Sequence, residues 1–384
     1  MHSTTLAQMA ITGLLVAMLP LAMVWVSSDA NKYRKLVWVC VFLTFDLIVF
    51  GAFTRLTDSG LGCPDWPGCY GLANPFLAHA EISAAETLMP SGPVTLFKAW
   101  VEMIHRYLAM GIGVLIVAMM AVSWIQWRKR RPGFEPGLPT SLFFFVCLQG
   151  AFGAWTVTLK LQPVIVTTHL LLGMGLLSML AWFGGKQDRL HAGPAPAGAP
   201  PPVLRTIRVL ALLSGAALLL QLALGGWVST NYATLACTEF PLCGGKAVPE
   251  MDFEHGFHLW RELGKTSAGH YLPFAALTAI HWVHRNFALV VVLLAGYTAW
   301  RARNVAGLRP LALGIALALA LQTASGLATI YLKFPLAIAV LHNGGAALLV
   351  LLLTMLNYRA KFQLDTARRG DLTRSAVPAQ ARHH

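Results

Sequence analysis

The chain has 384 residues, of which 56% are hydrophobic and only 12% charged. Too little of it is polar to cover a water-soluble domain of that length, so a soluble enzyme is excluded and an integral membrane protein is required. The formal net charge of +13 does not call for nucleic acid, because the basic residues sit in short clusters between apolar runs, where membrane topology puts them.

Runs long enough to cross a hydrocarbon core of about 30 Å fall at 9–27, 36–54, 98–125, 140–158, 164–184, 207–229, 271–300, 309–331 and 335–358. The first, within 1–28, has no basic segment ahead of it and its positive cluster follows, which reads as a retained helix rather than a cleaved signal. Lys32, Arg34 and Lys35, then Arg128, Lys129, Arg130 and Arg131, then Lys186, Arg189, Arg205 and Arg208, then Arg301, Arg303 and Arg309 all fall on one side. The positive-inside rule makes that side cytoplasmic, so the N-terminus is expected in the periplasm and the C-terminus in the cytoplasm.

In chain order, the span at 36–54 carries Asp46, an unusual mid-membrane carboxylate that could relay protons or bond Gln149. The external loop after it holds Cys63 and Cys69. The span at 98–125 opens with Glu102, His105 and Arg106. His105 lies three residues past Glu102 and so shares its helix face. Cys40 and Cys147 fall inside spans and read as packing residues. The segment 185–206 is a Pro-, Ala- and Gly-rich cytoplasmic linker. The external loop after 229 brings Cys237 and Cys243, and the span at 271–300 carries His281, His284 and Arg285. The tail 359–384 is basic and ends in His383 and His384; from Lys361 it reads as disordered beside the anionic leaflet.

The pattern repeats. Leu148, Gln149, Ala151, Gly153, Thr156, Leu159, Lys160 and His169 return 173 residues later as Leu321, Gln322, Ala324, Gly326, Thr329, Leu332, Lys333 and His342. Cys63, Asp65, Pro67 and Cys69 return as Cys237, Glu239, Pro241 and Cys243 at an offset of 174, with Gly51 echoed by Gly225. Each unit, 36–184 and 207–358, has an even number of spans, so the two share one orientation. The expected fold is all-α: two parallel-repeat four-helix transmembrane bundles plus one extra N-terminal helix, nine spans in all.

His105 and His169 in the first unit, and His284 and His342 in the second, fall roughly 10–14 Å below the external end at a 1.5 Å rise per residue. Two imidazoles from different helices at one depth suit the two axial positions of a haem. Zinc or copper would more often recruit a Cys, an Asp or a third His nearby. Arg106 and Arg285 would suit a propionate by bidentate pairing, or would simply snorkel to the interface.

The Glu102-x-x-His105-Arg106 motif, the segment from Gly51 through Arg55 to Cys63 and Cys69, Gly225-Gly-Trp with Cys237 and Cys243, and the helices bearing His281, His284, Arg285 and His342 resemble the haem A synthase family over about residues 36–358. The extra first helix departs from that family's pattern. The resemblance implies oxidation of the C8 methyl of haem O to a formyl by successive hydroxylations, for terminal oxidase biogenesis. It implies haem O as substrate at His105 and His169, haem b as cofactor at His284 and His342, and haem A as product. It further implies a bacterial inner membrane, with haem O synthase and oxidase assembly factors as partners; a homo-oligomer is left open. Alternatives are a di-haem b-type electron-transfer cytochrome or a quinone-linked periplasmic thiol oxidase.

Glu102 has no acidic counterpart in the second unit, where His281 stands, and it is the expected catalytic group: desolvated beside a haem ligand, it could exchange protons. The competing role is a structural bond at a helix start. The external compartment permits disulfides Cys63–Cys69 and Cys237–Cys243. Both can be staples over the haem pockets, and Cys63–Cys69 is as readily a redox pair.

Overall fold

The computed structural model describes residues 2–191 and 199–375. The expected apolar runs all become helices, most of them longer at their ends than hydropathy alone marks: α1 (His2–Val26), α2 (Lys32–Leu56), α4 (Leu96–Arg128), α5 (Gly137–Thr158), α6 (Pro163–His191), α7 (Pro201–Thr230), α9 (Phe274–Ala302), α10 (Arg309–Tyr331) and α11 (Leu336–Ser375). The external loops add α3 (His79–Leu88) and the single turn α8 (Phe253–Gly256). No strand forms among the described residues, only isolated bridges. These nine long helices are apolar enough to cross a membrane, and the protein is an all-α integral membrane protein.

Local chemistry sets the helix ends. Thr95 caps α4 by accepting from Lys98 N at 3.2 Å, and Asn31 caps α2 by accepting from Arg34 N at 2.9 Å. Because α4 starts at Leu96, Glu102 lies beyond its first turn; the expectation of a helix-start carboxylate is corrected, and the macrodipole does not account for it. The tail is also corrected. Instead of fraying at Lys361, α11 continues to Ser375, because Ala360 and Leu364 are buried and Gln363 donates to Ala306 O at 2.8 Å. His383, His384 and the centre of the linker lie outside the described residues.

Two quartets pack side by side. In one, α2 contacts α4 and α6, while α5 closes the ring against both; in the other, α7, α9, α10 and α11 do the same. The quartets meet where α11 packs on α2 and α6, and where α6 packs on α7. Helix α1 stands outside the rings and lies along α4. Gly13 and Gly111 permit this: a Cβ on Gly111 would sit 2.7 Å from Val16.

The repeat extends to the backbone. Asp58 and Tyr232, offset by 174, both adopt positive φ (51° and 55°), as do Lys160 and Lys333 (50° and 55°). Trp66–Pro67 and Phe240–Pro241 are both cis. Across the seam, Arg55 donates to Ser229 O at 2.7 Å and to Tyr232 Oη at 3.2 Å, and Tyr232 Oη donates to Asp58 at 2.8 Å. Arg55 and Ser229 are repeat counterparts, and so are Asp58 and Tyr232. The contacts therefore pair each position with its own echo.

Candidate functional site

Each of the four helix histidines lies against a glycine of a neighbouring helix. A Cβ on Gly51 would lie 3.0 Å from His105 Cε1, and one on Gly153 3.2 Å from His169 Cε1. In the second quartet a Cβ on Gly225 would lie 2.9 Å from His284 Cε1, and one on Gly326 3.1 Å from His342 Cε1. Only glycine leaves the ring room to lie against a backbone at that separation. All four histidines are half-buried. His169 is the neighbour of His105 within the first quartet, and His342 that of His284 within the second.

The quartets hold these rings differently. In the second, Gln221 Nε2 lies 3.1 Å from His284 Nδ1 and donates to His284 O at 3.1 Å. Ser325 Oγ lies 2.9 Å from His342 Nδ1. In the first, the repeat counterparts of Gln221 and Ser325 are Leu47 and Phe152, which offer no hydrogen bond. His105 Nδ1 and His169 Nδ1 are buried with no hydrogen-bond partner among the described residues. There the rings are held by packing, with Phe50 stacked 6.1 Å from His105, and Gln149 donates only to the backbone at His169 O (3.1 Å).

Above each pair a disulfide loop is pinned to the histidine helix. Cys63–Cys69 and Cys237–Cys243 are both formed. Glu102 Oε2 accepts from Cys63 N at 2.8 Å, and in the echo His281 Nδ1 accepts from Cys237 N at 3.2 Å. Arg106 donates to the carbonyls of Asp65, Pro67 and Gly68 at 2.7–3.1 Å and pairs with Glu102. Arg285 donates to Pro241 O and Leu242 O, each at 3.3 Å, while its Nη1 is buried without a partner. Asp65 folds its loop by accepting from Tyr70 N and Gly71 N, both at 2.6 Å, and Glu239 accepts from Gly245 N in the same way.

Of the residues expected from sequence, His105 and His169 come together, as do His284 and His342, with the Glu102–Arg106 pair over the first site. Asp46 faces the outer surface rather than Gln149, whose amide is bonded to His169 O, so that expected contact is not made. Cys40 is buried, but Cys147 is exposed on α5, correcting its assignment as a packing residue. Gln221 and Ser325 were missed. The signal for them was present where the repeat replaces an apolar residue, Leu47 and Phe152, by a polar one.

The paired histidines are a donor set that fits a haem. No cluster of three or more His, Cys, Asp or Glu side chains exists among the described residues, whereas a haem iron asks the protein for only two opposed ligands. The glycine-backed rings of both quartets fit such a group.

Residues 34–354 match the COX15-CtaA family, described as cytochrome oxidase assembly protein. The chain is 38% identical over 327 residues to a protein named Heme A synthase from Shewanella oneidensis, covering 84% of this chain and 96% of that one. It is 30% identical over 342 residues to one of the same name from Methylobacterium sp., covering 83% and 89%. With a third, from Chelativorans sp., it shares 29% identity over 355 residues, 87% and 93% of the two chains.

Proposed function

The chain belongs to the COX15-CtaA family of cytochrome oxidase assembly proteins, and we propose that it acts as a haem A synthase, oxidising the C8 methyl of haem O to a formyl. It is an oxidoreductase whose substrate is haem O and whose product is haem A.

We assign haem b to the second half, 207–358, between His284 and His342, and haem O to the first half, 36–184, between His105 and His169. One observation carries this division: each Nδ1 in the second half has a polar side chain against it, Gln221 at His284 and Ser325 at His342, and neither Nδ1 in the first half has one. A ring Nδ1–H that donates to an oxygen, as His342 can to Ser325 Oγ, fixes ring orientation and strengthens the ligand, which suits a resident group. Rings held only by packing suit a molecule that must arrive, react and leave. A bound haem b supplies one-electron redox chemistry.

The protein's own residues would do the rest. Glu102 presents a carboxylate beside the substrate ligand His105 and ties it to the Cys63–Cys69 loop, so it is the candidate for holding or moving a proton near the reacting methyl. Arg106 is engaged by that loop and by Glu102, whereas Arg285 keeps Nη1 free for a propionate. The loops close over both sites as staples, which separates them from the aqueous side. The charge bias supports a periplasmic N-terminus and the family resemblance a bacterial inner membrane, where the protein would take haem O from its synthase and pass haem A to oxidase assembly factors.

Extraction of pigments from the purified protein and its variants tests the reading. Wild type yields haem b together with haem O or haem A; His284→Ala loses haem b, and His169→Ala loses the farnesylated haem selectively. Equal amounts of haem b at both sites, with no haem O or A, would make the protein a di-haem electron carrier instead.

A further inference from the structure

The external loop between α8 and α9 carries a basic pocket that the haem chemistry does not use. It is lined by Gln162 at the start of α6 and by Trp260, Arg261, Glu262, Lys265 and Thr266, and its volume is about 300 Å³. Arg261 is 3% exposed. Its guanidinium meets only neutral acceptors, Asn231 Oδ1 and Lys265 O (3.2 Å), and lies 5.7 Å over the Trp227 ring. It makes no ion pair among the described residues, and its Nε is buried with no partner. Thr266, 6% exposed, also buries its Oγ1 without a partner. The neighbouring acid, Glu262, is turned outward and paired with Lys265 at 2.7 Å.

A buried cation facing only neutral groups costs free energy that an anion would offset. Burial pulls the Arg261 guanidinium below its ordinary value, and no acid raises it again. The loop is tightly built: Thr266 N donates to His270 O at 2.7 Å and Leu272 N to Gly264 O at 2.9 Å. Arg261 is therefore held in place rather than free to snorkel into water. The surroundings identify the anion. Leu259 (61% exposed), Trp260 (65%) and Tyr271 (90%) lie bare around the pocket, just beyond the external ends of α6 and α7. Exposed aromatic and aliphatic side chains at that height belong to the membrane–water interface. The anion available at that depth is a lipid phosphate.

We propose that Arg261 and Thr266 form a binding site for the phosphodiester headgroup of an external-leaflet phospholipid. On binding, the Arg261 Nε–H and the Thr266 hydroxyl, sealed and unpartnered without the lipid, turn to the phosphate oxygens. Gln162 brings the first half to the same headgroup, so a bound lipid bridges the two halves at their external edge.

The test is native mass spectrometry of the full-length protein in detergent, titrated with phosphatidylglycerol and separately with inorganic phosphate. Wild type should retain the lipid, and Arg261→Gln should bind it about tenfold more weakly, as loss of a charge-assisted contact predicts. Thr266→Val keeps Arg261 and all its present bonds, so it reports on the site even if Arg261→Gln unfolds; it should also weaken retention. Lys246→Gln, a basic residue elsewhere on the external face, should leave it unchanged. Lipid retention unaffected in Arg261→Gln and Thr266→Val overturns the site. Inorganic phosphate binding as tightly as the lipid overturns the headgroup assignment in favour of a soluble anion.

Discussion

Glu102 shows how one side chain can serve structure and chemistry together. Its echo, His281, makes the same bond to the first cysteine of its loop, so accepting from that N–H is the shared duty of the position. What Glu102 adds is charge, balanced by Arg106. Glu102→Gln keeps an acceptor for Cys63 N and removes the charge. We expect it to retain haem while product formation falls by about 10²-fold or more, as removal of a general acid or base does; retained haem A synthesis in this variant would reduce Glu102 to a loop anchor. At the second site, Gln221→Leu and Ser325→Phe copy the first half's residues. Loss of such supporting bonds costs about 10–100-fold in affinity, so haem b should wash out faster, followed by its absorbance during dialysis. Retention equal to wild type would remove the basis for assigning the resident haem to that half.

Helix pairs decide where the imidazoles lie. Each ring needs a neighbouring helix to come within van der Waals distance, and glycine at 51, 153, 225 and 326 permits that approach. Gly225→Ala places a methyl 2.9 Å from His284 Cε1, closer than carbon atoms pack. Overpacking of this kind costs about 1–3 kcal/mol, and here it should displace the ring. The expected result is lost haem b with the protein still folded, checked by haem content against thermal midpoint. Normal haem content would mean the helices can part without consequence. The tail teaches a related lesson. Its charge suggested solvent, yet α11 runs on because one face of it, Ala360 and Leu364, is covered by the turn between α9 and α10 and by Arg189 over Phe362 at 4.5 Å.

At the scale of the whole molecule, the seam joins repeat positions to their own echoes through Arg55, Asp58, Ser229 and Tyr232. Arg55 is only 16% exposed and also lies 4.4 Å over the Tyr232 ring. Arg55→Ala removes the charge-assisted bond to Ser229 O and the cation–π contact with Tyr232, which together cost about 1–3 kcal/mol. A thermal midpoint lowered by several degrees, with both haems initially present, is the expected outcome; an unchanged midpoint would show that helix packing alone joins the halves.

The sequence by itself determined what depends on order along the chain. Hydropathy marks the spans because each must match one hydrocarbon thickness. The repeat shows because Gln, Lys, His and Cys recur at a constant offset, and the four histidines and both cysteine pairs follow from it. Tertiary structure alone decided what depends on which side chains meet. Gln221 reaches His284 across 63 residues, and Arg261 reaches Asn231 across 30. Arg106 is engaged by loop carbonyls, whereas Arg285 keeps a free nitrogen. No periodicity records such meetings, because they are set by how helices rotate and tilt against one another, and that is fixed by close packing among residues far apart in the chain.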